Sequence, residues 1–202
     1  MKSPPRTKTK SLDNRLSRAL ELVVRARVPL DLFSFLAMQS NLDAYEDVLI
    51  PYWDYFRFDR TAQETAFHVR INNLFTRRPD TDNLPELFKE LADKGALSLQ
   101  GVNSIQAALD GVDIIRKGVK HVRDKAIAHQ DDTLTSREVY AEAQLTLPRL
   151  VDLSNAALEI ANALCTARGL PTRSFLPDPT ERLVALLEAL RRKPSCPPDF
   201  LQ

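Results

Sequence analysis

Apolar residues return every third or fourth position along most of the chain, which is the spacing that places them on one face of an α-helix. Leu12, Leu16, Leu20 and Val23 form the first such face. No stretch sustains the strict alternation of apolar and polar residues that a half-buried strand shows, and glycine occurs only five times. The pattern therefore predicts an all-α protein.

Prolines and capping residues divide this pattern into helices. Val28-Pro29 is expected to end the first helix, because the residue before a proline disfavours helical geometry. Asp31 would then cap a second helix from Leu32 to about Ile50. Two further helices are predicted from Pro51 to Phe75 and from Asn83 to before Gly95. A longer one should run from Gly101 through segment 113–132, with Asn103 as its cap and Gly111 as a weak point. The last helix of the bundle is expected from about Ser136 to Leu164, with Pro148 kinking or restarting it.

Aromatic side chains are concentrated after Pro51, in the sequence PYWDYFRF, with Arg57 and Arg60 nearby. Aromatics interleaved with arginines can stack the bases of a single strand. Burial in the core is the favoured interpretation, because the rings fall at bundle-like spacing and the arginines can face water. His68, in the same helix, is expected to be a surface or hydrogen-bonded core residue.

The length and composition predict one domain with a real core, since 44% of the 202 residues are hydrophobic. A disordered, basic, proline-containing tail is expected over residues 1–10, the helical bundle over 11–168, a proline-rich linker or extended strap over 169–179, an amphipathic helix over 180–193 and a flexible tail over 194–202. The last helix has a leucine face. That face is expected to fold back on the bundle, with dimerisation or partner binding as the alternatives. Its members are Leu183, Leu186, Leu187 and Leu190.

Charge and cysteine usage narrow the class of protein. Lysine plus arginine number 28 against 27 acidic residues, so any RNA site must be a local patch. Cys165 and Cys196 lie far apart without companions, which predicts neither a disulfide framework nor a metal site. No secretory signal precedes the first helix, and no apolar run reaches the roughly 18 residues of a membrane span. A cytoplasmic protein without membrane association, metal or cofactor is expected.

The segment 113–132, DIIRKGVKHVRDKAIAHQDD, carries the candidate chemistry. Ile115, Val119, Val122 and Ala126 share one face of a helix, which predicts packing against neighbouring helices. The rest of the segment is basic and contains one carboxylate among the cations, Asp124. This density favours a nearby polyanion, although a solvated charged surface is the commoner explanation. The basic side chains are Arg116, Lys117, Lys120, His121, Arg123 and Lys125.

Arg123 and His129 are the candidate catalytic residues. His129 is predicted to lie in the last turn of its helix, because a capping box formed by Thr135 and Glu138 starts the next one. The helix dipole there favours the imidazolium and keeps the histidine titrating near neutral pH, which suits general acid and base work. The alternative is a local ion-pair cluster with a helix-terminal histidine.

An arginine followed four to six residues later by histidine, late in a long helix, resembles the HEPN superfamily (higher eukaryotes and prokaryotes nucleotide-binding domain). The sequence motif Arg-Asp-Lys-x-x-Ala-His is similar to that of the abortive-infection AbiU-like branch of this superfamily. An upstream pattern through Tyr52-Trp53, Phe67, Leu74-Phe75, Asp80-Thr81 and Leu84 to Leu91 also resembles that branch. The likeness covers roughly residues 30–170.

The resemblance implies an α-helical up-and-down bundle that dimerises, here with an additional C-terminal helix. In catalytic members the arginine and histidine of both protomers meet in a cleft and cut RNA without metal, and Arg123 and His129 are the matching positions. Many members carry a tyrosine two residues after the histidine, where partner nucleotidyltransferases modify it. Asp131 stands there in this chain, which argues against that mode of regulation.

A metal-independent endoribonuclease of toxin or phage-defence type is therefore expected, giving 2′,3′-cyclic phosphate ends and acting as a homodimer. An antitoxin or other regulatory partner protein would restrain it. The alternative is a non-catalytic helical module that binds RNA, a nucleotide or a protein partner through the same basic groove of the dimer. The candidate substrate-binding residues are Lys120, His121, Asp124, Lys125 and Gln130.

Helix geometry adds a condition. Six residues at about 100° each leave Arg123 and His129 roughly 120° apart around a straight helix. Either the helix distorts at its end, or an identical helix across a two-fold axis supplies a second pair.

Overall fold

The computed structural model describes residues 11–78, 81–128 and 136–192, without the side chains of 126–128 and 136. Within those ranges the regular structure is helical, which confirms the all-α bundle. The helices are α1 Leu12–Ala37, α2 Gln39–Ala44, α3 Glu46–Leu49, α4 Trp53–Phe75, α5 Leu84–Asp93, α6 Leu99–Gly111, α7 Asp113–Val122, α8 Ser136–Glu142, α9 Leu147–Thr166 and α10 Thr180–Arg192. A 3₁₀ turn, Ile50–Tyr52, precedes α4, and a π-helical turn, Arg123–Ala128, follows α7.

The main core forms where α1 packs between α4 and α9. Its fully buried side chains include Leu20, Phe67, Ile71 and Leu153. The predicted face of the motif helix belongs to this core, because Val119 and Val122 are buried and Ile115 is partly buried. The side chain of Ala126 lies outside the described residues.

The prediction that the first helix ends at Val28-Pro29 is wrong, since α1 continues through Pro29 to Ala37. A mid-helix proline lacks the N–H that would bond the carbonyl four residues earlier, here that of Arg25. Arg70 on α4 donates its Nη1 to that carbonyl at 3.1 Å. Pro29 itself is buried in the core. Burial and a substitute donor thus keep the helix continuous.

The predicted second helix, Leu32 to Ile50, is therefore also wrong. Its first residues complete α1, and Asp31 is not a cap but an ion-pair partner of Arg27 at 2.6 Å within α1. Asn41 donates to the carbonyl of Phe35 at 3.0 Å and so occupies one of the carbonyls left open where α1 ends. Two short helices, α2 and α3, fill the remainder.

The motif helix begins earlier than predicted and is broken. Ser98, not Asn103, caps α6, and its hydroxyl accepts from the N–H of Gly101 at 3.1 Å. The break falls at Gly111 and Val112, where a weak point was predicted.

The remaining helix boundaries follow the predictions more closely. Asn83 caps α5 by accepting from the N–H of Glu86 at 3.0 Å. A helix begins at Ser136 as expected, while its proposed cap Thr135 lies outside the described residues. Pro148 restarts the chain as α9, and a left-handed Gly169, with φ of 64°, follows its end.

Residues 169–179 form a strap over α1 and α9. Arg173 exchanges two hydrogen bonds with the Asn162 side chain, at 2.8 and 2.9 Å, and its guanidinium pairs with Glu21. Arg27 lies over the ring of Phe175, 4.9 Å from its centre. The segment is thus a tied strap within the fold.

The leucine face of α10 closes a second hydrophobic cluster against α1, α3 and the start of α4. Leu187 is completely buried there, whereas Leu186 faces solvent. Arg191 bonds both carboxylate oxygens of Asp47, at 2.6 and 2.7 Å. The other buried members are Leu36, Val48, Leu49 and Phe56.

The aromatic segment only partly follows the favoured core interpretation. Phe56 and Phe67 are buried, but Trp53 is 45%, Tyr55 62% and Phe58 73% exposed. The core prediction is wrong for these three rings, because the second cluster covers only the side of α4 that carries Phe56.

None of the helices in the described ranges combines the length and apolar character needed to cross a membrane.

Gly118 allows the turn between α8 and α9 to approach α7 closely. A Cβ at this position would lie 2.7 Å from the carbonyl oxygen of Ala143 and 3.0 Å from a methyl carbon of Leu145. The closest of these atoms belongs to the backbone, so a rotamer change of Leu145 alone cannot make room for a side chain at position 118. Glycine at 118 is therefore a requirement of the packing.

We expect Gly118→Ala to lower the free energy of unfolding by about 1–3 kcal/mol, as overpacking of a tight site does. Urea denaturation of both proteins measures the difference. Gly111→Ala is the matched control, because nothing lies within 4 Å of its added Cβ. Equal stability of the Gly118→Ala protein and the wild type would contradict this packing.

Candidate functional site

Arg123 is the first residue of the π-helical turn that continues α7. The turn contacts α4 and α8, and Arg116 at the start of α7 donates to the carbonyl of Phe75 at 3.2 Å. Since Phe75 is the last residue of α4, α7 must run antiparallel to α4 for the turn to reach that helix. Arg123 consequently lies level with the middle of α4.

The Arg123 guanidinium is anchored by the neighbouring carboxylate. Its Nε donates to Oδ1 of Asp124 at 2.8 Å, and its Nη2 is directed at the same oxygen. Lys120 donates to Oδ2 at 2.9 Å. The hydrogen bond from Lys120 and then that from Arg123 hold the pKa of Asp124 below its usual range, against partial burial. The carboxylate stays ionised and fixes one edge of the guanidinium.

The cations of α7 have more acidic partners than the sequence suggested. Asp113 contacts Arg116 at 2.5 Å and Lys117 at 2.7 Å. His121 lies 3.3 Å from Glu142 of α8. Sequence reasoning found one carboxylate among the cations, whereas three lie close enough to pair with them. Asp113 immediately precedes the basic run, and Glu142 reaches it only through folding.

The predicted site is brought together only in part within the described residues. Lys120, Arg123 and Asp124 form one network, His121 pairs separately with Glu142, and Lys125 is exposed on the π-helical turn. His129 and Gln130 lie outside the described residues. The helix is distorted at the end of α7, where it continues as the π-helical turn, a feature frequently found at functional sites.

A buried pair that sequence reasoning did not assign lies beneath this region. His68 is completely buried, and its Nδ1 donates to the carbonyl of Glu64 at 2.9 Å. Its Nε2 therefore accepts from the Tyr140 hydroxyl at 3.1 Å. Burial lowers the pKa of His68 and raises that of Tyr140. Nothing in the sequence links positions 68 and 140, so only the fold could reveal the pair.

The family of the chain follows from its match to the model of a known protein family. A HEPN-type family model described as AbiU2 matches residues 9–179. The chain belongs to the AbiU2 family of HEPN proteins. No curated protein and no solved structure gives a match.

The AbiU2 match includes the motif with Arg123 and His129, and it confirms the resemblance seen in the sequence. It ends at residue 179, one residue before α10 begins. The helix that closes the second cluster is thus outside the matched region. The described side chains of this AbiU2 protein include no group of three or more histidine, cysteine or acidic residues placed to hold a metal ion.

The buried His68 gives the AbiU2 protein a pH-dependent stability. Its pKa in the folded state lies below the value of about 6.5 in the unfolded chain, so the unfolded chain binds a proton more readily. The contribution is complete above about pH 6.5 and is lost as the pH falls through the folded pKa. Protonation would also replace the acceptor that Tyr140 uses by a donor.

We expect the free energy of unfolding to decrease between pH 7 and pH 5, and to decrease less steeply in His68→Gln. Urea titrations at several pH values measure both slopes. His121→Gln is the matched control because that ring is partly exposed beside Glu142. A slope that His68→Gln leaves intact would show that another group is responsible.

Proposed function

We propose that this AbiU2 protein is a metal-independent endoribonuclease of the abortive-infection type, acting as a homodimer in the cytoplasm. Arg123 and His129 are its proposed catalytic residues. The proposal rests on the family match across both positions, together with the anchored, partly exposed guanidinium at the π-helical turn. The side chain of Arg123 is 24% exposed, which leaves it accessible to a ligand.

In the proposed reaction, a histidine removes the proton of a ribose 2′-hydroxyl. The 2′-oxygen attacks the adjacent phosphorus, and the bond to the 5′-oxygen of the next nucleotide breaks as that oxygen takes a proton. The products are a 2′,3′-cyclic phosphate and a 5′-hydroxyl. A second His129 across the two-fold axis would supply the second proton-transfer group, so that removal and donation are shared.

Arg123 would stabilise the charge that builds on the phosphate. Two of its five N–H groups are directed at Asp124. The end of the guanidinium, which carries Nη1, is the part proposed to meet the phosphate oxygens. Asp124 would then be a positioning residue, while Lys120, His121, Lys125 and Gln130 would contact the RNA backbone. An antitoxin or other regulatory protein would restrain the enzyme by covering this surface.

A second candidate function is a non-catalytic HEPN module that binds RNA, a nucleotide or a protein partner through the same groove. The pairing of Arg123 and Lys120 with one carboxylate favours it, because such a network also occurs as a plain ion-pair cluster. Catalysis and binding therefore have to be separated by experiment.

We expect the purified protein to cleave single-stranded RNA in the presence of EDTA, leaving 2′,3′-cyclic phosphate ends. Arg123→Ala and His129→Ala should each lower the rate by about 10²- to 10⁴-fold, the range for lost charge stabilisation or proton transfer. Gel analysis of end-labelled RNA measures rates and end groups. Arg182→Ala is the matched control, an exposed arginine on α10.

Salt-sensitive RNA binding without cleavage would instead support the non-catalytic module. Sedimentation of the same samples tests the dimer. Cleavage by a monomer would contradict an active site shared between two protomers, but it would not contradict the ribonuclease activity.

We also expect Asp124→Asn to slow cleavage by about 10- to 100-fold through kcat, with KM little changed, because the Arg123 guanidinium loses its anchor. Steady-state kinetics on one oligoribonucleotide separate the two parameters. Asp113→Asn is the matched control, since Asp113 bridges Arg116 and Lys117 in the same manner farther up α7. Equal effects of the two substitutions would argue for general electrostatics over positioning.

A further inference from the structure

One side of α4 is uncharged and exposed or partly exposed along most of the helix. Its members recur every third or fourth position and lie within an arc of about 100° around the axis. A surface helix normally turns charged and polar residues to solvent, so an uncharged exposed side indicates an interaction surface. The α4 face is defined here by Tyr55, Phe58, Ala62, Thr65, Ala66, Val69 and Asn73.

The α4 face is bulky at one end and small in the middle. Phe58 is 73% exposed, and Tyr55 lies one turn before it, whereas Ala62 and Ala66 carry only a methyl group each. Two copies of this face fit together when their helices run antiparallel, because the rings of each copy then extend beyond the alanines of the other. The alanines allow the two helix axes to approach to about 8 Å, the lower end of the range for packed helices.

The spacing of the residues fixes where the two-fold axis of such a pair would pass. In an isologous contact, a residue of one copy meets a second residue of the other copy, and the reverse contact is made as well. An axis level with residue 64 of α4 makes each ring meet a smaller side chain and each alanine meet an alanine. The matched positions are Tyr55 with Asn73, Phe58 with Val69, and Ala62 with Ala66.

Charged groups beside the α4 face indicate the same axis independently. Asp59 and Arg70 lie on one edge of the face, about 20° apart around the helix. Asp59 accepts from Gln63 at 3.0 Å and Arg70 donates to the carbonyl of Arg25 at 3.1 Å, but neither has an ion-pair partner within the ranges that the structure describes. The midpoint of Asp59 and Arg70 again falls at residues 64–65. An antiparallel two-fold pair keeps equivalent edges together, so each Asp59 would meet Arg70 of the other copy.

The opposite edge of the α4 face leads to Arg123. His68 lies on that side and accepts from Tyr140 of α8, and the π-helical turn contacts both α4 and α8. Arg116 bonds the carbonyl of Phe75, so Arg123, seven residues later on the antiparallel α7, is level with about residue 68. An axis at residue 64 therefore brings both π-helical turns to one edge of the pair, about 12 Å apart along α4.

We propose that two copies of the chain pair through the α4 face, with antiparallel α4 helices and Asp59 of each copy bound to Arg70 of the other. A cleft bordered by both Arg123 turns follows from this arrangement. The part that this cleft plays in cleavage rests on the proposed function, whereas the pairing of the helices does not. A parallel pair would place the two turns on opposite sides of the contact.

Ala62→Arg tests the pairing, because it places a long cationic side chain where the two helices approach most closely. We expect the wild type to sediment as a dimer and Ala62→Arg as a monomer, with the dissociation constant raised by at least about 100-fold. Sedimentation velocity over a range of concentrations measures both constants, and circular dichroism monitors the fold. Ala107→Arg, at an exposed alanine of α6, is the matched control and should remain a dimer.

Charge reversal tests the register of the two helices. Asp59→Arg and Arg70→Asp should each weaken the homodimer by about 10- to 100-fold, because each places two like-charged pairs at the contact. An equimolar mixture of the two variants should dimerise as strongly as the wild type, since every pair in the mixed dimer has opposite charges again. A purely structural effect of Arg70→Asp on α1 would not be reversed by mixing.

A wild type that is monomeric at every concentration would overturn the pairing, as would a dimer that Ala62→Arg leaves intact. A mixture of the charge-reversed variants that stays monomeric would overturn it too, because Asp59 and Arg70 would then not meet. The same samples are assayed for RNA cleavage. Cleavage by a wild-type dimer that Ala62→Arg does not disturb refutes the α4 pairing alone. A dimer that Ala62→Arg dissociates, but that cleaves no RNA, refutes the ribonuclease alone.

Discussion

The continuity of α1 through Pro29 is the constraint on which the arrangement of the molecule depends. From Leu16 to Phe33, α1 lies in the main core with α4 and α9; at its end, Leu36 enters the second cluster with α3 and α10. A helix that stopped at Val28 would leave α4, through Phe56, to join the second cluster to the main core without Leu36 of α1. Arg70 of α4 supplies the hydrogen-bond donor that Pro29 lacks, so α4 both packs along α1 and helps to keep it continuous.

The same scaffold fixes where the site stands. Because α4 is held along α1, the bond from Arg116 to the end of α4 sets the register of α7, and Gly118 lets the turn after α8 close against its other side. His68 and Tyr140 join α4 to α8 across the buried interior. Arg123 follows this clamped stretch at the point where the winding of the helix changes. Its location is therefore determined by contacts outside the motif itself.

The sequence predicted what depends on local pattern. The all-α class, the cap at Asn83, the helix start at Ser136 and the restart at Pro148 follow from periodicity and side-chain chemistry within a few residues, and the family follows from the Arg123 motif and the pattern upstream of it. The failures involve contacts distant in sequence. The Arg70 donor that supports Pro29 is distant in sequence, Glu142 reaches His121 only after folding, and the exposure of Phe58 depends on which side of α4 the second cluster covers.

The pairing of charges on α7 bears on how an RNA strand could be held. Asp113 and Asp124 each lie between two cations, so each bridge keeps one excess positive charge while its side chains stay oriented. An approaching phosphate must share these cations with the carboxylates, which limits the affinity that backbone contacts alone can supply and makes it fall with salt.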